Sequence, residues 1–439
     1  MRPLSHAALV CTLATALPCA AGEAPALPAL TLEEALSSAR QLQPALLEAW
    51  ATADVARAKA RQAHAPLLPQ VNLSGGYSRT TANFVARPGS VPRTFTQGAP
   101  TFDTFNFFNA GVTGTQLLWD SGQARNRSKA AEAQAGAADA SARTAILDAE
   151  QRVRAAFFQA QASRALVRVG AETLANQARH VAQVQAFVEV GTRPEIDLAQ
   201  VKTDRANAQL QLIQAENGYD TARAQLLQAM GQERGLDFDV DGAQLGQLAG
   251  EDGTTDSLLD EALAARPEFA ALERERAALE ATLASARGTS WPQLSATVGA
   301  TEGGSDLTAL AWNVNGGLNL SWPLYQGGLS NAQVAEAEAN LRAQAARVAS
   351  RRQQVRLDVE QARLAVRAAK AGIGAANEAA LNAQERLRLA EGRYEAGVGN
   401  VIELADAQLA LTAAQAQAVQ AQFQLSSARA ALLRALGRQ

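Results

Sequence analysis

The stretch WNVNGGLNLSWPLYQGG, residues 312–328, carries the pattern on which the fold turns. Trp312, Val314, Gly316, Leu318, Leu320, Trp322 and Leu324 alternate with Asn313, Asn315, Gly317, Asn319 and Ser321. A period of two gives a strand one apolar and one polar face. Val71, Leu73, Gly75 and Tyr77 alternate in the same way, as do Leu294, Ala296, Val298 and Ala300, and a fourth strand is expected from about Phe105 to Trp119. Each stretch is about 10 residues, the length a tilted strand needs to cross a bilayer. Trp119, Trp291, Trp312 and Trp322 lie in or beside these strands, where interfacial girdles would place them. Two hairpins of a soluble sandwich would alternate similarly. Nothing else in the chain, however, could cover the apolar face of four such strands.

The end of the stretch, Leu324 to Gly328, repeats Leu118 to Gly122 at a distance of 206 positions. At the same offset Gly191 answers Gly397, Ile196-Asp197-Leu198 answers Ile402-Glu403-Leu404, and Gly231 answers Gly437. The chain is a tandem duplication, and each copy carries an opening helix, a hairpin, a very long helix, a sharp tip and a return helix. The expected layout is a first repeat over 23–231, a connector rich in Gly, Asp and Leu over 232–256, and a second repeat over 257–439. Hairpins fall at about 70–119 and 292–325, and tips at about 190–194 and 396–400. Capping boxes at Thr31/Glu34 and Ser257/Asp260 are expected to open helices running to about Ala65 and about Arg287.

The fold class is mainly α with membrane β. From Leu341 a seam runs through Ala345, Val348, Arg352, Val355, Val359, Ala362, Val366, Ala369, Ile373, Ala376, Ala380, Ala383, Leu387 and Ala390 to Tyr394. Its steps of four and three are those of a coiled coil. A second stripe, Leu357, Leu364, Ala368, Ala371 and Ala375, calls for a second neighbouring helix. About 69 residues at ~1.5 Å each make a rod of roughly 100 Å. The opening and return helices are each about half as long, so stacked end to end they match it.

Residues 1–22 read as a secretory leader, with Arg2, an apolar run from Ala7 to Leu17, and small residues Ala20-Ala21-Gly22 for cleavage. Both cysteines, Cys11 and Cys19, lie within it, so no disulfide or thiolate chemistry is expected of the exported chain. Cys19 is also a candidate lipid attachment point, though Pro18 before it fits that signal poorly. A net charge of −3 gives no basic footprint for nucleic acid. His64 and His180 stand far apart without a nucleophile, and Met230 is the single methionine after Met1. No catalytic constellation, metal site or cofactor is expected, and the chain does not read as an enzyme.

Four strands cannot close a barrel, because membrane barrels start at about eight. An open sheet in lipid leaves backbone groups unpaired, at several kcal/mol each. Sister chains must therefore complete it around a rotational axis. Two chains supply eight strands and a filled interior, three supply twelve and a lumen. Strand faces rich in Asn, Thr, Ser and Gly favour the wider option.

The duplicated pattern resembles the TolC-like outer-membrane efflux proteins over nearly the whole mature chain. The most specific match is the second tip, with Tyr394, Gly397, Glu403 and Asp406, answered by Gly191 and Asp197 in the first. The resemblance implies a homotrimer: a twelve-stranded barrel set in outer-membrane lipid and continued by a helical tunnel in the periplasm. It implies the exit duct of a tripartite efflux pump or a type I secretion system, reached through a periplasmic adaptor and an inner-membrane pump. Adaptor contacts are then expected at Val190, Gly191 and Thr192 and at Ala396, Gly397 and Val398. An acidic aperture is expected at Asp197, Glu403 and Asp406, with Tyr394 hydrogen-bonded to Asp197 to hold the tips shut.

Glu403 and Asp406 lie three apart on one helix face, and in a trimer they make a ring that favours cations. Acids at a helix start are also welcome to the helix dipole, which accounts in part for Glu403, less for Asp406, and fully for Glu195 and Asp197 after Pro194, so that the gating role of Asp197 is what the resemblance implies. Family members that lock with an arginine two residues after the second tip glycine have Gly399 here, which leaves Arg193 of the first tip as the substitute. The competing reading is a soluble periplasmic coiled-coil scaffold. The uninterrupted apolar face from Trp312 to Leu324 would be an aggregation hazard in water and speaks against it. The cargo is not legible, and the loop from about Arg79 to Thr104 is expected to face outside.

Overall fold

The computed structural model describes residues 28–81, 102–242 and 244–438. The expected leader with Cys19, and most of the loop after Arg79, lie outside the described residues. Strand β1 (Ala29–Leu30) leads into α1 (Leu32–Leu42) and α2 (Pro44–His64). After a 3-10 turn at Ala65–Leu67 come strands β2 (Gln70–Thr81) and β3 (Thr104–Trp119). The long helix α3 (Gln123–Glu189) and the return helix α4 (Glu195–Met230) complete the first copy. After β4 (Asp239–Val240), the second copy runs through α5 (Thr255–Ala265), α6 (Pro267–Gly288), β5 (Gln293–Gly304), β6 (Ala311–Ser321), α7 (Leu329–Glu395) and α8 (Val401–Leu436).

The two opening helices differ from the expectation of one unbroken rod each. Both are split by a proline, between Leu42 and Pro44 and between Ala265 and Pro267. The ring of a proline bars the residue before it from the helical region. Gln43 and Arg266 accordingly sit at ψ 115° and 123°. The box at Thr31 forms as expected, with Thr31 and Glu34 exchanging bonds of 2.9 and 3.3 Å. The expected box at Ser257 does not: Thr254 is the N-cap, and its hydroxyl accepts from the Ser257 amide. The connector also contributes a strand that periodicity could not show, because two residues carry no period. β4 lies parallel to β1 and pins the connector to the start of the chain.

α3 and α7 are 67 residues each, about 100 Å at 1.5 Å per residue, and α4 and α8 are 36 each. α2 and α4 lie along one flank of α3. α6 and α8 fill the space between α3 and α7. The lower seam of α7 is buried as its spacing demands, from Val355 through Val359, Val366 and Leu387 to Tyr394. Its upper part drifts: Arg352 is exposed and Gln344 is buried instead, donating to Leu272 and Glu275 of α6. The second stripe stays open, with Leu357 and Leu364 about half exposed.

Two separate apolar clusters form at mid-rod. One joins Phe157, Phe158, Leu226, Met230 and Phe238; the other joins Val355, Val359, Leu432 and Leu436. Buried charge binds the same level. Glu268 of α6 accepts from Arg351 of α7 and Arg434 of α8, both at 2.7 Å, with Arg266 at 3.4 Å. Arg434 also reaches Asp148 of α3 at 2.5 Å. Glu251 of the connector is fully buried between Lys370 (2.7 Å) and Arg429 (3.0 Å).

The four long strands form one antiparallel sheet in the order β2-β3-β5-β6. β3 and β5 join the two copies, pairing Phe108 with Gly304 at one end and Trp119 with Leu294 at the other, with a register shift between Leu117 and Trp119. The outer strands β2 and β6 are exposed along almost their whole length, and each has one edge without a partner among the described residues. No described helix is long and apolar enough to cross a membrane.

Candidate functional site

The two tips lie at the end of the rods opposite the sheet. Each long helix stops at a glycine in the left-handed region, Gly191 at φ 80° and Gly397 at φ 78°, a conformation other residues adopt only with strain. At the first tip the Thr192 amide and hydroxyl both bond to Phe187 O at 2.9 Å, and Pro194 then caps α4. At the second, the Val398 and Gly399 amides both return to Arg393 O, at 3.1 and 2.9 Å. Asn400 then caps α8 by accepting from the Glu403 amide at 2.7 Å. The second tip is thus folded back more tightly than the first.

A small core joins the tips. Val181 and Val184 of α3, Val201 of α4, Leu387, Ala390 and Tyr394 of α7, and Val401 and Leu404 of α8 pack together. Tyr394 is 1% exposed, and Phe187 lies against it with ring centroids 6.3 Å apart. Polar bonds flank this core and continue the seam along the rods. Gln183 donates to Glu395 at 3.2 Å, His180 lies 3.5 Å from Glu391, and Gln177 donates to Gln408 at 2.6 Å.

The expected bond from Tyr394 to Asp197 is absent. The buried hydroxyl has no hydrogen-bond partner among the described residues. Burial pushes the phenol above its usual range, the nearby Arg193 guanidinium opposes that, and the Asp197 carboxylate adds to it. Asp197 is therefore close enough to be felt as charge without being bonded. Arg193 makes the contact instead. Its guanidinium carbon lies 4.5 Å from the Tyr394 ring centroid, and its Nη2 donates to Tyr394 O at 3.3 Å and Gly399 O at 3.2 Å.

The acids are not equivalent. Glu403 is half-buried and pairs with Arg393 at 3.3 Å, whereas Asp406, one turn further along α8, is exposed. The pairing of Glu403 was not foreseen, since Arg393 lies ten positions earlier on a different helix and only the tip geometry brings the two together. Val190 and Val398 are 78% and 72% exposed, and Thr192, Ala396 and the tip glycines are also open to solvent. Ile196 and Ile402, equivalent in the two copies, add a matched pair of exposed apolar side chains. Among the described residues no group of three or more His, Cys, Asp or Glu side chains could hold a metal ion.

With this geometry in place, comparison with known proteins is specific. The family profile described as outer membrane efflux protein matches residues 35–232 and 258–438, one segment for each copy. Protein CyaE of Bordetella pertussis is 28% identical over 418 residues, covering 93% of this chain and 84% of that protein. The outer membrane protein VceC of Vibrio cholerae superposes with a TM-score of 0.78 at 20% identity, over 93% of this chain and 96% of that one. The CmeC outer membrane channel of Campylobacter jejuni superposes with a TM-score of 0.79 at 16% identity, over 98% and 93%. At these identities the two structures speak for the fold.

Proposed function

We propose, from the premise that this chain belongs to the outer membrane efflux protein family, a trimeric duct that opens and closes at its tips. The protein is an outer-membrane exit duct whose helical part stands in the periplasm. Family members are channels that work as trimers with adaptors in tripartite pumps. For this chain, three copies would join their four-stranded sheets into one barrel of about twelve strands, a size consistent with a water-filled lumen.

The observation that carries this reading is the open sheet. Among the described residues β2 and β6 each leave one edge unpaired, and an unpaired strand edge in lipid is untenable. The helices support the same closure. One flank of the protomer exposes Leu47 and Trp50 of α2 with Leu210 and Ile213 of α4; the other exposes Leu357, Leu364 and Leu389 of α7. Two different apolar edges suit head-to-tail contacts that close into a ring. The test is cross-linking in outer membranes through cysteines placed on β2 and β6. A ladder ending at three copies is the expected result; one ending at two, or none, would overturn the trimer.

At the tips, Asp197, Glu403 and Asp406 would gather around the axis as an aperture that favours cations. Arg393 offsets part of the charge of Glu403, so the exposed Asp406 carries more of the effect. Tyr394 would hold the gate by packing, as a buried ring beneath both tips. Val190, Gly191, Thr192, Ala396, Gly397 and Val398 form the exposed ends that would meet a periplasmic adaptor and, through it, an inner-membrane pump. The connecting segment over 232–256 and the leader over 1–22 are read as part of the same proposal.

A further inference from the structure

We propose that a cleft between α3, α6 and α7 at mid-rod binds small organic carboxylates, gripped by Arg347 and Arg351 of α7. The cleft has a volume of about 650 Å³, and its charged lining is Asp148, Glu268 and the two arginines. Counting also the charged groups bonded to its lining, four arginines meet three carboxylates. Glu268 alone serves Arg351 and Arg434, both at 2.7 Å, and Arg266 at 3.4 Å. Asp148 is taken by Arg434 and Asp358 by Arg266. Arg347 has no partner among the described residues, and neither does the buried Nη1 of Arg434. The side chains of Arg266 and Arg434 are 3% and 12% exposed, so water screens this excess of positive charge poorly. An entering carboxylate would balance it.

The geometry suits such a ligand. Arg347 and Arg351 are one turn apart on one helix face, so a single anion can meet both. Arg351 commits a donor to Glu268 yet stays 38% exposed, and Arg347 is exposed. The fork of a guanidinium matches the two oxygens of a carboxylate. Ala145 and Leu272 add apolar wall for an organic body, which a bare inorganic anion would not use. The duplication makes the room. At the 206-residue offset Arg347 and Arg351 answer Ser141 and Ala145 of α3, which line the other wall of the same cleft. Small side chains therefore stand opposite large cations.

The cleft opens away from the connector. Lys370 of α7 and Arg164 of α3 bond to the connector, at Asp252 and Val240. Around the helix axes Arg347 and Gln354 lie about 140° and 160° from Lys370, and Asp148 lies about 160° from Arg164. In the proposed duct the connector, which would fill a passage, belongs outside, so three copies of the cleft would line the tunnel. That placement rests on the duct reading; the binding does not.

The experiment is equilibrium dialysis of radiolabelled citrate against the full-length protein in mild detergent and low-salt buffer, with particle mass and thermal unfolding measured on the same samples. Wild type should bind saturably. Arg347→Gln should weaken binding by roughly tenfold or more, the loss of charge-assisted hydrogen bonds, and unfold with wild type because Arg347 has no bond to lose. Arg352→Gln removes the same charge about five turns from Lys370, on the connector face, and should bind as wild type does. No saturable binding by wild type, or equal loss in both variants, would overturn the site. Failed binding by a protein of trimer mass would leave the duct standing. Arginine-dependent binding by a monomer would overturn the duct and leave the cleft.

Discussion

Tyr394 shows how much one residue can hold without using its polar group. Its ring is enclosed by α3, α4, α7 and α8, while its hydroxyl is buried and unbonded. An unsatisfied buried hydroxyl is itself costly, so Tyr394→Phe should leave stability and conductance within a small margin of wild type. Tyr394→Ala removes the ring and should cost about 3–5 kcal/mol of local packing. Paired conductance and unfolding measurements separate these outcomes, and a strongly leaky Tyr394→Phe would restore the role of the hydroxyl.

The acids make a second prediction at this scale. Asp406→Asn should lower cation preference, read as reversal potential in a salt gradient, more than Glu403→Gln does, because Arg393 already offsets Glu403. Equal effects would contradict this. Tyr394, Asp197, Glu403 and Asp406 were singled out through the family resemblance at the tips rather than by the repeat, which offers no counterpart for Tyr394 or Asp406. Which acid is paired, and that Tyr394 lacks a partner, could not be read, since both depend on how two turns that share their glycine but little else fold to different depths.

At the scale of elements, hydrophobic period was informative wherever an element is long. The strands around Trp312 and the seam from Val355 to Tyr394 have enough repeats for their faces to stand out. The breaks at Gln43 and Arg266 were legible in Pro44 and Pro267 but are local events that a long amphipathic pattern hides. Strands β1 and β4 left no pattern at all.

The buried charges at mid-rod were likewise invisible, because each pair joins residues distant in sequence. Glu251 shows their consequence. Burial would raise its pKa, but bonds from Arg429, Lys370 and the Leu248 amide outweigh that and hold it at about 2. A carboxyl held below its unfolded value near 4.5 stabilises the fold above that pH and loses its contribution as pH falls toward 2. The contribution at stake is on the order of 3 kcal/mol. Thermal unfolding in detergent should therefore weaken between about pH 4.5 and 2, and more steeply in wild type than in Glu251→Gln. Parallel curves for the two proteins would remove Glu251 from the account.

For the whole molecule, one physical fact dominates. A sheet of four strands whose two outer edges have no partner among the described residues, carried on a protomer with two different apolar flanks, is an incomplete object. The sequence carried this conclusion as a strand count, and under the proposed trimer the missing contacts would fall between β2 and β6 of a neighbour and between the α2–α4 flank and α7. The most direct test is the mass of the protein extracted from outer membranes in mild detergent, corrected for bound detergent. Three chains per particle is the predicted result. A monomer, or protein recovered only from the soluble periplasm, would leave the sheet unable to close and contradict the duct.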